Sequence, residues 1–266
     1  MTGSRIDSKL YVVTGASSGI GEAIARELHQ RGARLFLVAR REDRLHALAE
    51  ELNGNRPHST EYFLCDLSSD DGVTTLKARL QDQDVYGLVN NAGFGSYGEF
   101  RELHCEREIA MIRLNVEAPL QLTHAVVDKM VKRGEGVVVN IASIAGFQPL
   151  PYMSTYAATK AALLSHSLSL SYELKPHGVQ VLAVCPGPVP TEFGRVAGVP
   201  GEFGSLPSDS ADSIALSIIK AIVARRSTVV VPGVTGKILR SIVRFFPQTF
   251  VLSLIGRLMK PAFRLN

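Results

Sequence analysis

The 266-residue chain has few cysteines and no arrangement that would pair them. Cys65, Cys105 and Cys185 are odd in number, lie far apart and form no Cys-x-x-Cys pair. This spacing argues against a disulfide-stapled miniprotein and a structural zinc site, and it favours a reducing compartment. The seven histidines show no His-Glu-x-x-His or other ligand spacing, so no catalytic metal is expected.

Long apolar runs are also missing. No stretch of eighteen apolar residues is free of charge, so no membrane-spanning helix is predicted. The first ten residues contain no apolar h-region, so we see no secretory signal and expect a cytoplasmic protein. With 45% hydrophobic and 20% charged residues, the composition is that of a globular domain and excludes disorder and collagen-like repeats.

Acidic residues are absent from the last part of the chain. Residues 213–266 carry nine Lys or Arg and no Asp or Glu, whereas residues 1–212 carry 20 basic and 25 acidic side chains, so the charges are +9 and −5. The basic segment indicates a surface that meets a phosphorylated ligand, acidic lipid or a partner. The alternative is a basic face balanced by the body of the same fold. No nucleic-acid partner is predicted.

Short apolar runs alternate with segments of helical spacing. Ile20, Ile24 and Leu28 recur every four residues, and Leu45, Leu48 and Leu52 share a face of the next helical segment. The runs do not alternate apolar with polar residues, which is typical of strands buried on both faces of a parallel sheet. We therefore predict a Rossmann-type, doubly wound α/β fold with a seven-stranded parallel sheet flanked by helices. The seven predicted strands are residues 10–13, 35–39, 62–64, 87–89, 137–141, 179–184 and 228–231.

The first strand runs into a glycine-rich turn, Val-Val-Thr-Gly-Ala-Ser-Ser-Gly-Ile-Gly. Gly15, Gly19 and Gly21 allow a tight turn and let a pyrophosphate approach the helix N-terminus. After the second strand, Ala39 stands where an acid would bind a ribose 2′-hydroxyl, and Arg40 follows. A guanidinium can bind a 2′-phosphate with two charged hydrogen bonds, so we predict NADP(H). Arg41 and Ser17 are the next candidates if Arg40 points elsewhere.

Further motifs follow in a specific order. They are Asn-Asn-Ala-Gly at 90–93, Asn115 in a helical segment, Ser143 after an apolar run, Tyr-x-x-x-Lys at 156–160 and Pro-Gly-Pro-Val-Pro-Thr at 186–191. Together they resemble the single-domain short-chain dehydrogenases/reductases, over roughly residues 8–232. We expect residues 1–232 to form the catalytic domain and 233–266 a helical extension of the same domain.

The chemistry of Tyr156 and Lys160 can be derived beside this resemblance. The two residues lie four apart on a helix predicted to begin near Ser154, so both project from one face. A nearby ammonium favours the phenolate and should lower the phenol pKa, which suits Tyr156 as general acid or base. Ser143 would donate a hydrogen bond to the substrate oxygen. The resemblance implies that Lys160 also holds the nicotinamide ribose and that Asn115 holds a water linking Lys160 to solvent.

The resemblance also carries over further cofactor contacts. Asp66 matches the acid at the adenine amino group, with Leu67 beside it, and Asn90 and Ala92 match the adenosine side. Pro190 departs from the pattern and puts the Thr191 contact in doubt. The full set of predicted cofactor contacts is Gly15, Ser17, Ser18, Gly19, Ile20, Gly21, Arg40, Asp66, Leu67, Asn90, Ala92, Tyr156, Lys160, Pro186, Gly187, Val189 and Thr191.

The predicted substrate pocket is apolar. Its walls are expected at residues 93–97, at 145–153 and in the loop after Thr191, and Arg195 is the only cation there. A small apolar ketone, aldehyde or alcohol therefore fits better than a sugar phosphate. The basic, apolar tail either roofs the pocket, packs at a subunit interface or lies on a membrane surface. The roof or interface is the favoured reading, and a homodimer or homotetramer is expected.

The sequence is compatible with three functions to different degrees. An NADP(H)-dependent oxidoreductase leads. A catalytically silent NADP-binding regulatory or scaffold protein is the alternative, but the complete set of Asn115, Ser143, Tyr156 and Lys160 argues against it. An epimerase or dehydratase of the extended fold would carry Gly-x-x-Gly-x-x-Gly and an added substrate domain, and this chain lacks both.

Overall fold

A seven-stranded parallel sheet forms the centre of the molecule in the computed structural model, which describes residues 6–200, 209–225 and 227–260. The strand order is β3-β2-β1-β4-β5-β6-β7, so the chain winds outward in both directions from β1 and β4. Each of the seven predicted runs is a strand, and the predicted fold class is confirmed. The strands are β1 Leu10–Thr14, β2 Arg34–Ala39, β3 Thr60–Leu64, β4 Val85–Asn90, β5 Gly136–Ile141, β6 Val179–Val184 and β7 Val229–Val230.

Helices cover both faces of this sheet. Between α4 and α5 the chain continues as a π-helical turn, Arg113–Glu117, and a 3₁₀ turn, Ile144–Phe147, follows β5. The helices are α1 Gly19–Gln30, α2 Glu42–Asn55, α3 Asp70–Gln81, α4 Cys105–Ile112, α5 Ala118–Arg133, α6 Ser154–Leu174, α7 Glu192–Ala197, α8 Ala211–Ala224, α9 Val234–Phe245 and α10 Gln248–Met259.

Burial on both faces holds for the central strands but not for the edge. All residues of β1, β4 and β5 are buried, whereas in β3 Tyr62 is 37% and Leu64 40% exposed. The expectation of full burial is therefore wrong for β3, because an edge strand is covered less completely by the helices. The central strands bury their apolar side chains in one core on each side of the sheet. This arrangement fixes where the strands end, and the site lies there.

The tail forms two helices, α9 and α10, which return to the carboxyl-end side of the sheet. Tyr97 donates its phenol hydroxyl to the carbonyl oxygen of Met259 at 2.6 Å. Met259 packs with Met153 and Phe193 in one apolar cluster, and the guanidinium of Arg240 lies 5.3 Å from the ring centroid of Phe147. No helix in the described part of the chain is long and apolar enough to cross a membrane.

Some expectations fall outside the described residues. They concern residues 1–5, residues 201–208 of the loop after Thr191, the basic residues Arg226 and Arg264, and the side chain of Arg244.

Candidate active site

The backbone of the glycine-rich turn after β1 is tightly packed and needs glycine at three positions. Gly15 and Gly19 have φ angles of +65° and +59°, which favour glycine. A Cβ at Gly21 would lie 2.3 Å from the Gly15 carbonyl oxygen. α1 begins directly at Gly19, and the partly exposed Ser18 precedes it. An open turn of this shape at the N-terminus of a twelve-residue helix suits a pyrophosphate, so the residues present fit a dinucleotide.

Asn91 holds this turn in place, and sequence reasoning missed its role. Its amide donates to the carbonyl oxygens of Thr14 and Gly15 at 3.0 and 3.2 Å. In return, the Thr14 hydroxyl accepts from the backbone N–H groups of Asn91 and Ala92, both at 3.0 Å. Ala92 thus lies beside the turn. The signal available from the sequence was that β1 and β4 would be neighbours, which brings the ends of both strands together.

Asn90, in contrast, directs its side chain into the protein. It is 3% exposed, and its amide donates to Asn140 Oδ1 at 2.8 Å and Thr123 Oγ1 at 3.2 Å. Any contact with adenosine would therefore come from the backbone of Asn90. The same holds for Leu67, whose side chain is 4% exposed and belongs to the core. Ile20 also packs its side chain against the core.

The two arginines after β2 diverge. Arg40 is exposed, and its Nη1 lies 3.6 Å from Asp66 Oδ2. Asp66 accepts hydrogen bonds from the backbone N–H and hydroxyl of Ser68. Burial alone would raise the pKa of Asp66, but Ser68 and the Arg40 charge outweigh it and lower that pKa. Arg40 and Asp66 thus lie together beyond the ends of β2 and β3, and their predicted contacts with the 2′-phosphate and the adenine stay predictions.

Arg41 turns the other way, towards the glycine-rich turn. Its guanidinium donates to Ser17 Oγ at 3.0 Å, to Ser18 Oγ at 2.5 Å and to Glu192 Oε2 at 2.6 Å. The sequence placed Arg41 only as a substitute for Arg40. The structure gives the two arginines different surroundings.

The segment after β6 closes the site from above the turn. A Cβ at Gly19 would meet Thr191 Cγ2 at 3.1 Å, so Thr191 lies against the turn in spite of Pro190. The Thr191 hydroxyl accepts from Phe193 N and caps α7. The other predicted residues precede it: Pro186 accepts a backbone hydrogen bond from Ile144 N, Gly187 lies next to Ile144, and Val189 accepts from Thr191 N.

Tyr156 and Ser143 meet at the carboxyl end of β5. α6 begins at Ser154, as predicted, and places Tyr156 in its first turn with 8% exposure. Ser143 caps the following 3₁₀ turn through Ala145 N at 3.1 Å, and its hydroxyl acts to lower the pKa of the nearby Tyr156 phenol. Burial raises the pKa of Tyr156 to about 12, and Ser143 opposes this only in part. The expectation of a lowered phenol pKa is therefore wrong for the protein alone.

The position of Lys160 explains why the pKa of the Tyr156 phenol is not lowered. Its Nζ lies 5.8 Å from the Tyr156 ring centroid and donates to the Ile141 carbonyl oxygen at 2.8 Å, so it is not aimed at the phenol. Burial disfavours the ammonium and lowers the pKa of Lys160 to about 8. Lys160 is therefore buried beside the phenol ring and loses its proton more readily than an exposed lysine.

Asn115 completes the group from the π-helical turn. Its side chain is fixed by three hydrogen bonds, from Phe94 N at 3.2 Å, to Phe94 O at 2.9 Å and to Thr159 Oγ1 at 3.1 Å. A Cβ at Gly93 would lie 2.9 Å from Asn115 Oδ1 and 3.5 Å from Lys160 Nζ, so Asn115 and Lys160 face each other across Gly93. The four predicted catalytic residues are thus brought together.

An apolar wall borders Tyr156. The Phe193 ring lies 5.2 Å from the Tyr156 ring, centroid to centroid. Met153, Leu150, Tyr97 and Met259 belong to the same apolar cluster. Among the described residues, no group of three His, Cys, Asp or Glu side chains is placed to hold a metal ion.

Comparisons with known proteins agree with this geometry. The family model described as short chain dehydrogenase matches residues 9–198. An uncharacterized oxidoreductase of Staphylococcus epidermidis is 33% identical over 219 residues, which cover 82% of this chain and 93% of the relative. The very-long-chain 3-oxoacyl-CoA reductase of Mus musculus is 33% identical over 215 residues, covering 79% of this chain and 67% of the relative.

A solved structure gives the same result. The short-chain dehydrogenase from Sphingobium yanoikuyae in complex with NADPH superposes with a TM-score of 0.80 at 31% identity, covering 97% of this chain and 98% of that one. The chain belongs to the short-chain dehydrogenase family. It is an oxidoreductase of that family with a Rossmann-type fold.

Proposed function

We propose that the protein is an NADP(H)-dependent oxidoreductase that transfers a hydride between the nicotinamide and the carbonyl or alcohol carbon of a lipophilic substrate. The observation that carries this proposal is the convergence of Tyr156, Ser143, Lys160 and Asn115 at the carboxyl ends of the strands, beside an apolar wall. The glycine-rich turn follows β1 at the same edge of the sheet.

In the reductive direction, the bound nicotinamide supplies the hydride to the carbonyl carbon. Tyr156 Oη donates its proton to the carbonyl oxygen as negative charge develops there, and the Ser143 hydroxyl donates a hydrogen bond to the same oxygen. Lys160, whose pKa of about 8 is close to neutrality, lies beside the phenol ring but donates to Ile141, so it would replace the proton of the phenolate through an intervening group and not by direct contact. Asn115 fixes the surroundings of Lys160 and orders the route by which that proton is replaced.

The preference for NADP(H) over NAD(H) rests on charge. β2 ends in Ala39, so no carboxylate repels a 2′-phosphate at that position, and two arginines follow. The NADPH bound to the similar Sphingobium enzyme supports the same cofactor here.

The proposal of a lipophilic substrate is based on the apolar wall beside Tyr156. The cluster around Tyr156 consists of Met, Phe, Leu and Tyr side chains, and the guanidinium of Arg107 is directed over the Phe94 ring at 4.9 Å. A charged sugar phosphate would find few partners there. The name of the mouse relative, a very-long-chain 3-oxoacyl-CoA reductase, supports a substrate whose acyl part is lipophilic.

The tail is proposed as the roof of this pocket. Besides the Tyr97–Met259 hydrogen bond, Gly256 of α10 lies against Pro151, where a Cβ would come within 3.5 Å. The outer side of the tail exposes apolar side chains and cations, and we retain peripheral contact with an anionic membrane surface as a second role. The exposed apolar residues are Ile238, Phe245, Phe246, Phe250, Leu252, Leu254 and Leu258.

A homodimer or homotetramer is proposed as the assembly. α4, α5 and α6 expose large apolar side chains that a second copy could cover, namely Ile109, Ile112, Leu120, Leu168 and Tyr172. A reducing, cytoplasmic setting is supported by the three free cysteines, two of them buried.

The proposal is tested by measuring NADPH oxidation through the loss of NADPH absorbance, with a panel of lipophilic ketones and aldehydes as substrates. Tyr156→Phe should lower kcat by about 10²–10⁴ and leave NADPH affinity within about twofold. Tyr62→Phe, in the edge strand β3 and 37% exposed, is the matched control and should behave as wild type. Substantial turnover by Tyr156→Phe would contradict the assignment. NADPH binding with no turnover of any carbonyl would favour the silent regulatory or scaffold protein instead.

A further inference from the structure

A carboxylate already lies between the arginines that follow β2. Glu192 Oε2 accepts from Arg41 Nη1 at 2.6 Å and from Arg44 Nη1 at 3.0 Å, while Oε1 accepts from Arg44 Nη2 at 3.2 Å and from Arg195 Nη2 at 3.1 Å. Three guanidinium groups therefore share one carboxylate. This group of charges keeps a surplus of two positive charges.

Arg41 also contacts the glycine-rich turn that is proposed to bind the cofactor. Arg41 donates to Ser17 and Ser18, which precede α1, and it stands one residue from Arg40 at the end of β2. In this fold the ribose 2′ position of a dinucleotide lies near the end of β2. Arg41 and Arg44 thus lie where a 2′-phosphate is expected in this fold, and Glu192 of α7 already accepts hydrogen bonds from both guanidinium groups.

We propose that Glu192 is an intramolecular competitor of the 2′-phosphate and that Arg41 is the ligand for which the two anions compete. This inference rests on the proposed use of NADP(H). Glu192 then sets how strongly the enzyme discriminates between NADP(H) and NAD(H), because only a ligand with a 2′-phosphate has to displace it.

The charges favour such an exchange. A phosphate monoester carries close to two negative charges at neutral pH, against one on Glu192, and so matches the surplus of the arginine group better. Arg41, Arg44 and Glu192 keep 39%, 45% and 29% of their side-chain surface exposed, so water can solvate the groups as they exchange partners. The arginines lower the pKa of Glu192 to about 2, so it remains a carboxylate and a competitor at any pH at which the enzyme is assayed.

The competition would also reach the substrate side. Glu192 is the first residue of α7, and the next residue, Phe193, packs on the Tyr156 ring. Release of Glu192 from Arg41 frees the start of α7 on the side opposite to Tyr156. The 2′-phosphate thereby acts on the helix that covers the catalytic phenol.

Binding of two nucleotides that differ only in the 2′-phosphate tests this without turnover. Adenosine 2′,5′-bisphosphate and adenosine 5′-monophosphate are titrated by calorimetry into the full chain. Glu192→Gln should tighten bisphosphate binding by about three- to tenfold, as expected for loss of partly exposed ion pairs. Monophosphate binding should change by less than about twofold. In an Arg41→Met background, the gain from Glu192→Gln should be smaller.

Glu42→Gln is the matched control. It removes one negative charge from an exposed residue in the first turn of α2, next to Arg41 in sequence, and should leave the ratio of the two affinities unchanged. Circular dichroism and thermal melting check that each variant is folded. If Glu192→Gln weakened or did not change bisphosphate binding, Glu192 would merely position Arg41 and the proposal would be wrong. If the wild type did not prefer the bisphosphate, the proposed cofactor itself would fail, whatever Glu192 does.

Discussion

The protonated form of Lys160 should make the folded protein less stable than it would be with an apolar side chain. The pKa of Lys160 falls from an ordinary 10.5 to about 8 because the ammonium is buried. Between these values the unfolded chain binds a proton that the folded chain has released, so stability rises with pH across this window. Below pH 8 both states hold the proton, and the full cost of about 3 kcal/mol is present.

Lys160→Met removes this group and keeps its length. The free energy of unfolding of the wild type minus that of the variant should increase by about 1.4 kcal/mol for each pH unit between pH 8 and 10. Groups that do not interact with Lys160, such as Cys65, whose pKa is raised by burial, titrate in both proteins and largely cancel in the difference. At pH 7 the variant should equal or exceed the wild type in stability, less the hydrogen bond lost at Ile141.

Urea denaturation at several pH values measures this difference. Lys220→Met, at an exposed lysine of α8, is the matched control, and its difference from the wild type should stay constant with pH. A constant difference for Lys160→Met as well would show that Lys160 is solvated or paired in the fold, and the reasoning from burial would be refuted.

The other predictions concern the cofactor, the substrate oxygen and the tail. Arg40→Asp should lower the NADPH-to-NADH ratio of kcat/KM by about 10- to 100-fold, whereas Arg101→Asp, at an arginine exposed elsewhere, should not; an unchanged ratio for Arg40→Asp would locate the phosphate at Arg41 alone. Ser143→Ala should lower kcat by about 10²–10³ with little change in NADPH affinity, and an equal loss of affinity would speak against a role at the substrate oxygen. If the tail is a roof, a form ending at Gly233 should show a higher KM for lipophilic substrates, and an unchanged KM would contradict the roof. If the tail contacts a membrane, the full chain should sediment with anionic liposomes in a salt-sensitive way, and truncation should abolish this binding.

The strands and the catalytic motifs could be predicted because their signals are local. A buried strand such as β5 needs only a short apolar run, and Tyr156 and Lys160 share a face through helical spacing alone. The start of α6 at Ser154 and the acidic first turn of α2 follow from the same rules.

What could not be predicted depends on packing between distant parts of the chain. Arg40 and Arg41 are adjacent in sequence, and only the positions of Asp66 and Glu192 decide that they point in opposite directions. The phenol pKa of Tyr156 depends on how completely its surroundings exclude water, which spacing does not reveal. Asn91 looked like part of a motif, but its role became clear only with the carbonyl groups of β1 beside it.

The proposed roof over the apolar wall comes from a part of the chain that the family match does not include. The match ends at residue 198, whereas α9 and α10 lie beyond it and place Met259 next to the residues around Tyr156. Under the proposed function, one part of the substrate wall is therefore encoded separately from the catalytic residues, while Tyr97, Met153 and Phe193 lie within the matched stretch. Chimeras that keep residues up to Gly233 and exchange the following helices between relatives should inherit the reaction from one parent and the substrate range from the other. In such a family, new substrate ranges can evolve by drift of the tail while the catalytic residues stay under selection.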